Sequence, residues 1–165
     1  MTPPDTRLTP EEHAALISEI GPLPLRGMAW PTWVKVVVWI ALILIGAQII
    51  RVAGSPEGRQ FSPLHAGFVI LVFLALVVAA RFMLFSETRI TADGIEQSWF
   101  TLRRIAWTDI QFARFVSLPT SKRLVCFTAG RRPVVFQAGT PELRNAFVRI
   151  AAAYRRRLEE VRRHA

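Results

Sequence analysis

The stretches VVVWIALILIGAQII (Val36–Ile50) and AGFVILVFLALVVAA (Ala66–Ala80) decide how this chain of 165 residues is built. Each is 15 residues long and carries no formal charge. As helices they rise about 22 Å, at 1.5 Å per residue, which falls short of a hydrocarbon core of roughly 30 Å. Apolar flanks supply the missing turns: Trp33-Val34 before the first run and Phe82-Met83-Leu84-Phe85 after the second. Gln48 is the one strongly polar side chain within them. A helix that is apolar on every face has no side to turn toward water. The two runs therefore read as a transmembrane hairpin spanning about 33–51 and 65–85.

Charges at the hairpin ends set its orientation. Lys35 precedes the first run and Arg81 follows the second, so an antiparallel pair of helices brings them to one end. Long cationic stems let their charged heads reach the interface. Trp30 and Trp33 suit the aromatic belt there, as does Trp39. Arg26, Lys35, Arg81 and Arg89 flank this end, against Arg51, Arg59 and Glu57 in the connecting loop. The bias toward cytoplasmic positive charge predicts a multi-pass protein of a bacterial inner membrane with both termini in the cytoplasm. The first run begins too far from Met1 for a cleaved signal peptide. The loop holds Gly54, Pro56, Gly58 and Pro63 and is too short for a sensor domain. His65, at its end, is a lone interfacial histidine.

Residues 1–31 form an N-terminal segment with a short amphipathic helix. Thr9 caps it, Pro10 fills the first helical position and Glu12 completes a capping box. Gly21 stops it, and Pro22 and Pro24 prevent its return. A helix over Pro10–Ile20 puts Leu16, Ile17 and Ile20 on one side. So short a helix is marginal alone, so its stripe needs a surface: the chain's own basic domain, the bilayer or another subunit.

From residue 86 onward the apolar period shifts from that of helices to that of strands. Short strands are predicted at 89–91, 95–99, 104–106, 111–117, 124–128 and 133–137. Ala92-Asp93-Gly94 turns between the first two, Trp107–Ile110 makes a corner, and Ala129-Gly130-Arg131 turns between the last two. One helix follows, with Thr140 as cap, Pro141 and Glu142 in its first turn, and Leu143, Phe147, Ile150, Tyr154, Leu158 and Val161 at three- and four-residue steps. The fold class is an α+β membrane protein: a transmembrane hairpin, then an antiparallel β-barrel or sandwich closed by a C-terminal helix.

Two stretches, RITADGIE (Arg89–Glu96) and LRRIAWTDI (Leu102–Ile110), followed by two strands and a terminal helix, resemble bacterial pleckstrin-homology-like domains. The resemblance covers roughly residues 86–155, and such domains often follow two membrane helices. It implies a cytoplasmic PH-like domain over 86–165, a turn at Asp93-Gly94, Trp107 in the core and Asp109 capping the corner. It also implies a fold that takes peptides in a groove between strand and helix. A fold of this kind marks no activity. Eukaryotic relatives bind phosphoinositides through basic residues in the first hairpin loop. Here that loop is Ala92-Asp93-Gly94, short and acidic, which argues against such a pocket.

Composition narrows the chemistry. The net charge is +9, and residues 86–165 hold fifteen Arg and Lys against seven Asp and Glu. A basic domain held at a bilayer faces anionic headgroups, an acidic partner or nucleic acid. The pairs Arg103-Arg104, Lys122-Arg123 and Arg131-Arg132, all near predicted turns, are the candidate contacts for anionic lipid or a partner. No nucleic-acid reading module is present, and aromatic residues are not interleaved with the arginines. The tail Arg155–Arg163 reads as a charged helix end, with Glu159 and Arg163 at a favourable spacing. Cys126 is the only cysteine, which excludes an internal disulfide and a thiolate cluster. His13, His65 and His164 are scattered without paired acids, and there is no glycine-rich phosphate loop. No catalytic, cofactor or metal residues are assigned, and no small-molecule substrate is expected. The expectation is a non-enzymatic, membrane-tethered interaction module, an accessory or assembly subunit with a protein partner or a second copy of itself. The alternative is recognition of anionic headgroups by the basic turns.

Overall fold

The structure is a computed structural model that describes residues 6–56, 58–99, 101–119, 121–129 and 132–164. It is α+β, in two compact units: Thr32–Phe85, and Met1–Pro31 together with Ser86–Ala165.

The first unit is the hairpin. Helix α2 runs Thr32–Ala53 and helix α3 Pro63–Phe85, with a 3₁₀ turn at Gly58–Gln60 between them. Both are long and apolar enough to cross a membrane, and within their most apolar windows only about 6% of residues are buried. Large side chains along both helices, such as Ile43, Leu44, Phe68 and Leu71, stand exposed. Gly46 lets the helices approach: a Cβ there would meet the Phe73 ring at 3.2 Å.

The second unit begins with α1 (Pro10–Ile20), whose capping box forms as the sequence predicts. The Thr9 amide donates to Glu12 Oε2 at 2.6 Å, and the Glu12 amide donates to Thr9 Oγ1 at 3.3 Å. Gly21 ends the helix at φ 102, a conformation side chains other than glycine rarely adopt.

Seven strands follow, one more than the sequence reading gives. Strand β1 (Leu25–Met28) lies before the hairpin; β2 (Glu87–Ile90), β3 (Gly94–Ser98) and β4 (Leu102–Ala106) come after it. These four make one antiparallel sheet in the order β1-β2-β3-β4. β1 pairs with β2 from Leu25↔Ile90 to Met28↔Glu87. The whole hairpin is thus inserted between two neighbouring strands. The sequence reading places no strand within residues 1–31, where β1 lies. Gly27 shows how tightly it is held: a Cβ there would lie 2.6 Å from Thr140 Oγ1 and 2.7 Å from Leu143 Cδ1.

Strands β5 (Ile110–Ser117), β6 (Lys122–Thr128) and β7 (Val134–Ala138) form a second, three-stranded antiparallel sheet. Of the barrel or sandwich expected, the closed barrel is not formed. A 3₁₀ turn at Trp107–Asp109 separates β4 from β5, and no ladder joins them. That turn closes through backbone, with the Ile110 amide donating to the Trp107 carbonyl, and Asp109 is exposed. The predicted capping role of Asp109 is therefore replaced by a main-chain bond. Trp107 is buried as expected, its indole donating to the Thr91 carbonyl at 3.0 Å.

β7 lies across the end of the first sheet. The Gly139 amide donates to Met28 O of β1, Thr88 Oγ1 of β2 donates to Gln137 O, Gln97 Oε1 of β3 accepts from the Gln137 amide, and Arg103 of β4 donates to Val135 O. The contact moves down β7 as one passes from β1 to β4, the signature of crossed sheets. It also satisfies an edge that would otherwise be open.

Helix α4 (Pro141–His164) covers the core. It buries Leu143, Ala146, Phe147, Ile150, Ala153 and Tyr154 against Ile90, Ile95, Ile110, Leu124 and Phe136. The apolar stripe of α1 supplies Leu16 to the same core, with Ile17 and Ile20 at its margin.

Candidate functional site

Two surfaces of the folded unit gather chemistry. The first is the surface of β5 and α4 on which Thr6 and α1 dock. Thr6 Oγ1 donates to the Gln111 carbonyl of β5 at 2.7 Å. Arg157 Nε donates to the Arg7 carbonyl at 3.2 Å and lies 3.8 Å from Glu12 Oε2. Arg156 lies 3.8 Å from Glu19. The His13 ring meets Trp107 edge-on at 5.4 Å. The acidic helix has docked on the chain's own basic domain, the first of the three surfaces open to it in sequence. Exposed ion pairs of this length hold weakly, at about 0–1 kcal/mol each. Leu16, which is 2% exposed, supplies the stronger hold.

The second surface is the sheet end where the chain enters and leaves the hairpin. Met28 pairs with Glu87, and the Ala29 amide donates to Ser86 O at 3.0 Å. Ser86 Oγ donates to Ser98 O at 2.7 Å, and the Glu87 amide donates to Ser98 Oγ at 3.1 Å. The β3–β4 turn is therefore bonded to the residue that directly follows α3. Trp30 is half-buried beside Gly139, whose Cβ would clash with the Trp30 main chain.

The predicted basic contacts are spread rather than pooled. Arg103 donates to Val135 O at 3.4 Å and stands 5.7 Å over the Trp99 ring. Arg104 pairs with Glu96 on the neighbouring strand. Lys122 donates to Ser117 Oγ at 2.6 Å and Leu118 O at 3.2 Å, and Arg123 donates to Ser121 Oγ at 2.9 Å. Arg132 is exposed just before β7, and Arg131 lies outside the described residues. Lys122 is registered with Ala138 and Arg123 with Gln137, whereas Arg103 reaches Val135. Arg103, Lys122, Arg123 and Arg132 are thus strung along β7, about 13 Å long at 3.3 Å per residue.

Within the hairpin, Trp33 is exposed at the start of α2. Lys35 is 8% exposed, and its ammonium donates to the Leu84 carbonyl at 3.1 Å. That carbonyl is one of the four at the end of α3 without a partner in the helix, where the helix dipole also favours a cation. Lys35 is thereby bonded to α3 at the end of the hairpin where Arg81 also lies. Arg81 stacks 3.7 Å from the Phe85 ring centroid. At the loop end, an apolar cavity of about 460 Å³ is lined by Gln48, Val52, Phe61 and His65 among others, with His65 Nδ1 2.6 Å from Ser62 Oγ.

Among the described residues no group of three or more potential metal ligands comes together. Cys126 is fully buried, and burial pushes its thiol up to about 12, so at neutral pH it is an uncharged core side chain. Burial also raises the Tyr154 hydroxyl. Sequence reasoning missed the β3–β4 turn as a surface feature. The signal was present as Trp99 and Leu102, two large apolar residues at a hairpin tip. No protein-family profile, no curated protein and no solved structure matches this chain.

Proposed function

We propose that this chain is a non-enzymatic, membrane-tethered interaction module, an accessory or assembly subunit of a bacterial inner-membrane complex. In this reading α2 and α3 span the bilayer, both termini face the cytoplasm, and residues 86–165 with β1 form a PH-like domain. Two antiparallel sheets followed by a helix are what that resemblance implies.

The observation that carries the reading is the insertion of the hairpin between β1 and β2. Three residues separate Met28 from Thr32, and one separates Phe85 from Glu87. A domain joined this way has two short covalent attachments to membrane-length helices, and the attachments are paired strands of its own sheet. It is held close to the membrane surface, where a flexible linker would let it roam. Function by positioning needs only that: a fixed height, and faces for a protein partner or a second copy. The outer face of α4, with Arg155, Arg156, Arg162 and Arg163 exposed, is one such face for an acidic partner.

Extraction of the tagged protein from native membranes in mild detergent, with mass and subunit identification, tests the proposal. A stoichiometric complex, hetero- or homomeric, is the expected result. A monomer without partners would contradict the subunit role, and release by alkaline carbonate without detergent would contradict the tether.

A further inference from the structure

The two turns of the β2-β3-β4 meander are opposites. Thr91–Gly94, between β2 and β3, is of the kind hairpins show to water: Ala92 and Asp93 are exposed, and Thr91 Oγ1 closes the turn through Gly94. The β3–β4 turn, closed by the pair Ser98↔Leu102, presents apolar side chains instead. Trp99 is 37% exposed and Leu102 67%. An aromatic and a leucine at a hairpin tip are out of place in water and in place at a membrane interface, where tryptophan collects. Arg103 beside them, stacked toward the Trp99 ring, adds a cation at the depth of lipid phosphates.

Position separates these turns as sharply as composition. Antiparallel register puts Thr91–Gly94 at the end of the sheet away from Met28 and Glu87, and Trp99–Leu102 at the end beside them. Ser98 is hydrogen-bonded through both its side chain and its carbonyl to Ser86 and Glu87. Ser86 is covalently bonded to Phe85, the last residue of α3. A bilayer that takes α3 to its end therefore lies within a few residues' reach of Trp99, at 3.8 Å between consecutive Cα atoms.

We infer that the β3–β4 turn is an interfacial anchor: Trp99 and Leu102 insert into the headgroup–acyl boundary of the same bilayer that holds the hairpin, with Arg103 on lipid phosphate. The inference rests on α2 and α3 spanning that bilayer. It adds a third membrane contact to the two chain crossings.

The test uses the full chain carrying Leu102→Cys or Ala92→Cys, each labelled with an environment-sensitive NBD maleimide while buried Cys126 stays unlabelled. Both positions are exposed, so both variants keep the fold, and circular dichroism checks this. The proteins are reconstituted into phosphatidylcholine–phosphatidylglycerol vesicles with or without doxyl-labelled lipid. The label at 102 is expected to emit at shorter wavelength and to lose most of its emission to the doxyl lipid. The label at 92 is expected to respond only to aqueous iodide. Iodide quenching at 102 equal to that at 92 would overturn the inference. So would shielding at 102 from both quenchers, which indicates a protein contact. An alkaline carbonate wash separates the two readings. Protein retained with a wet label at 102 sinks the anchor alone, whereas protein released from the vesicles sinks the membrane span and the anchor together.

Discussion

Helices α3 and α4 are 23 and 24 residues long, yet they solve opposite problems. α4 carries seven arginines and buries six residues of one stripe in the protein core. α3 carries one arginine and buries a single residue, Ala80. Length therefore says nothing about what a helix is for; the distribution of its apolar side chains does. α4 is stable in water because its stripe has a protein surface to cover and its other face is charged. α3 has no such division: it is apolar all round and long enough to cross a membrane. The hairpin is long and apolar enough to cross a membrane, and the folded unit has its own core.

Substitutions can break that contrast. Phe147→Ala empties a fully buried position under α4 and should cost about 3–5 kcal/mol. Leu74→Ala, at an exposed position on α3, should leave the same transition unmoved. Urea unfolding of both variants in detergent, followed by fluorescence, measures the difference. Gly27→Ala is the next largest, because it pushes a methyl group into Thr140 and Leu143 where β1 meets α4. Overpacking of that kind costs about 1–3 kcal/mol. The same unfolding midpoint reads it, and an unchanged midpoint would mean that β1 is not docked as described. Thr9→Ala removes the cap of α1 and should cost about 1 kcal/mol. Amide exchange should then quicken in Pro10–Ile20 before it changes in the strands.

A separate effect concerns pH. The Cys126 thiol is raised from an ordinary value near 8.5 to about 12 by burial. A group whose folded value is raised lends stability that is complete below its unfolded value and lost as pH climbs toward the folded one. The unfolding midpoint should therefore hold steady up to about 8.5 and decline toward about 12. Maleimide should label Cys126 only on unfolding. Labelling of the folded protein at neutral pH would show the strand to be open.

The sequence declares features carried by local composition. The hairpin was legible from two uncharged runs, α4 from the Leu143-to-Tyr154 spacing, and the α1 cap from Thr9, Pro10 and Glu12. β1 was not legible, because Leu25–Met28 is four residues with a glycine, set among Pro22, Pro24 and Pro31. Its partner strand lies some sixty residues away, so no local period records it. The separation of the two sheets and the crossing of β7 were hidden for the same reason. Both depend on Thr88, Gln97 and Gln137 meeting across the core. The basic residues were visible, but their dispersal along β7 follows from register alone.

In the proposed arrangement α2 and α3 cross a bilayer and return the chain to one side. Single cysteines at Ser55, in the loop between those helices, and at Ala92, on the folded unit, test it in sealed cells with a membrane-impermeant maleimide. The account predicts labelling of Ser55→Cys from outside and of Ala92→Cys only after the membrane is permeabilised. Identical behaviour of the two sites, both labelled or both protected, would contradict it.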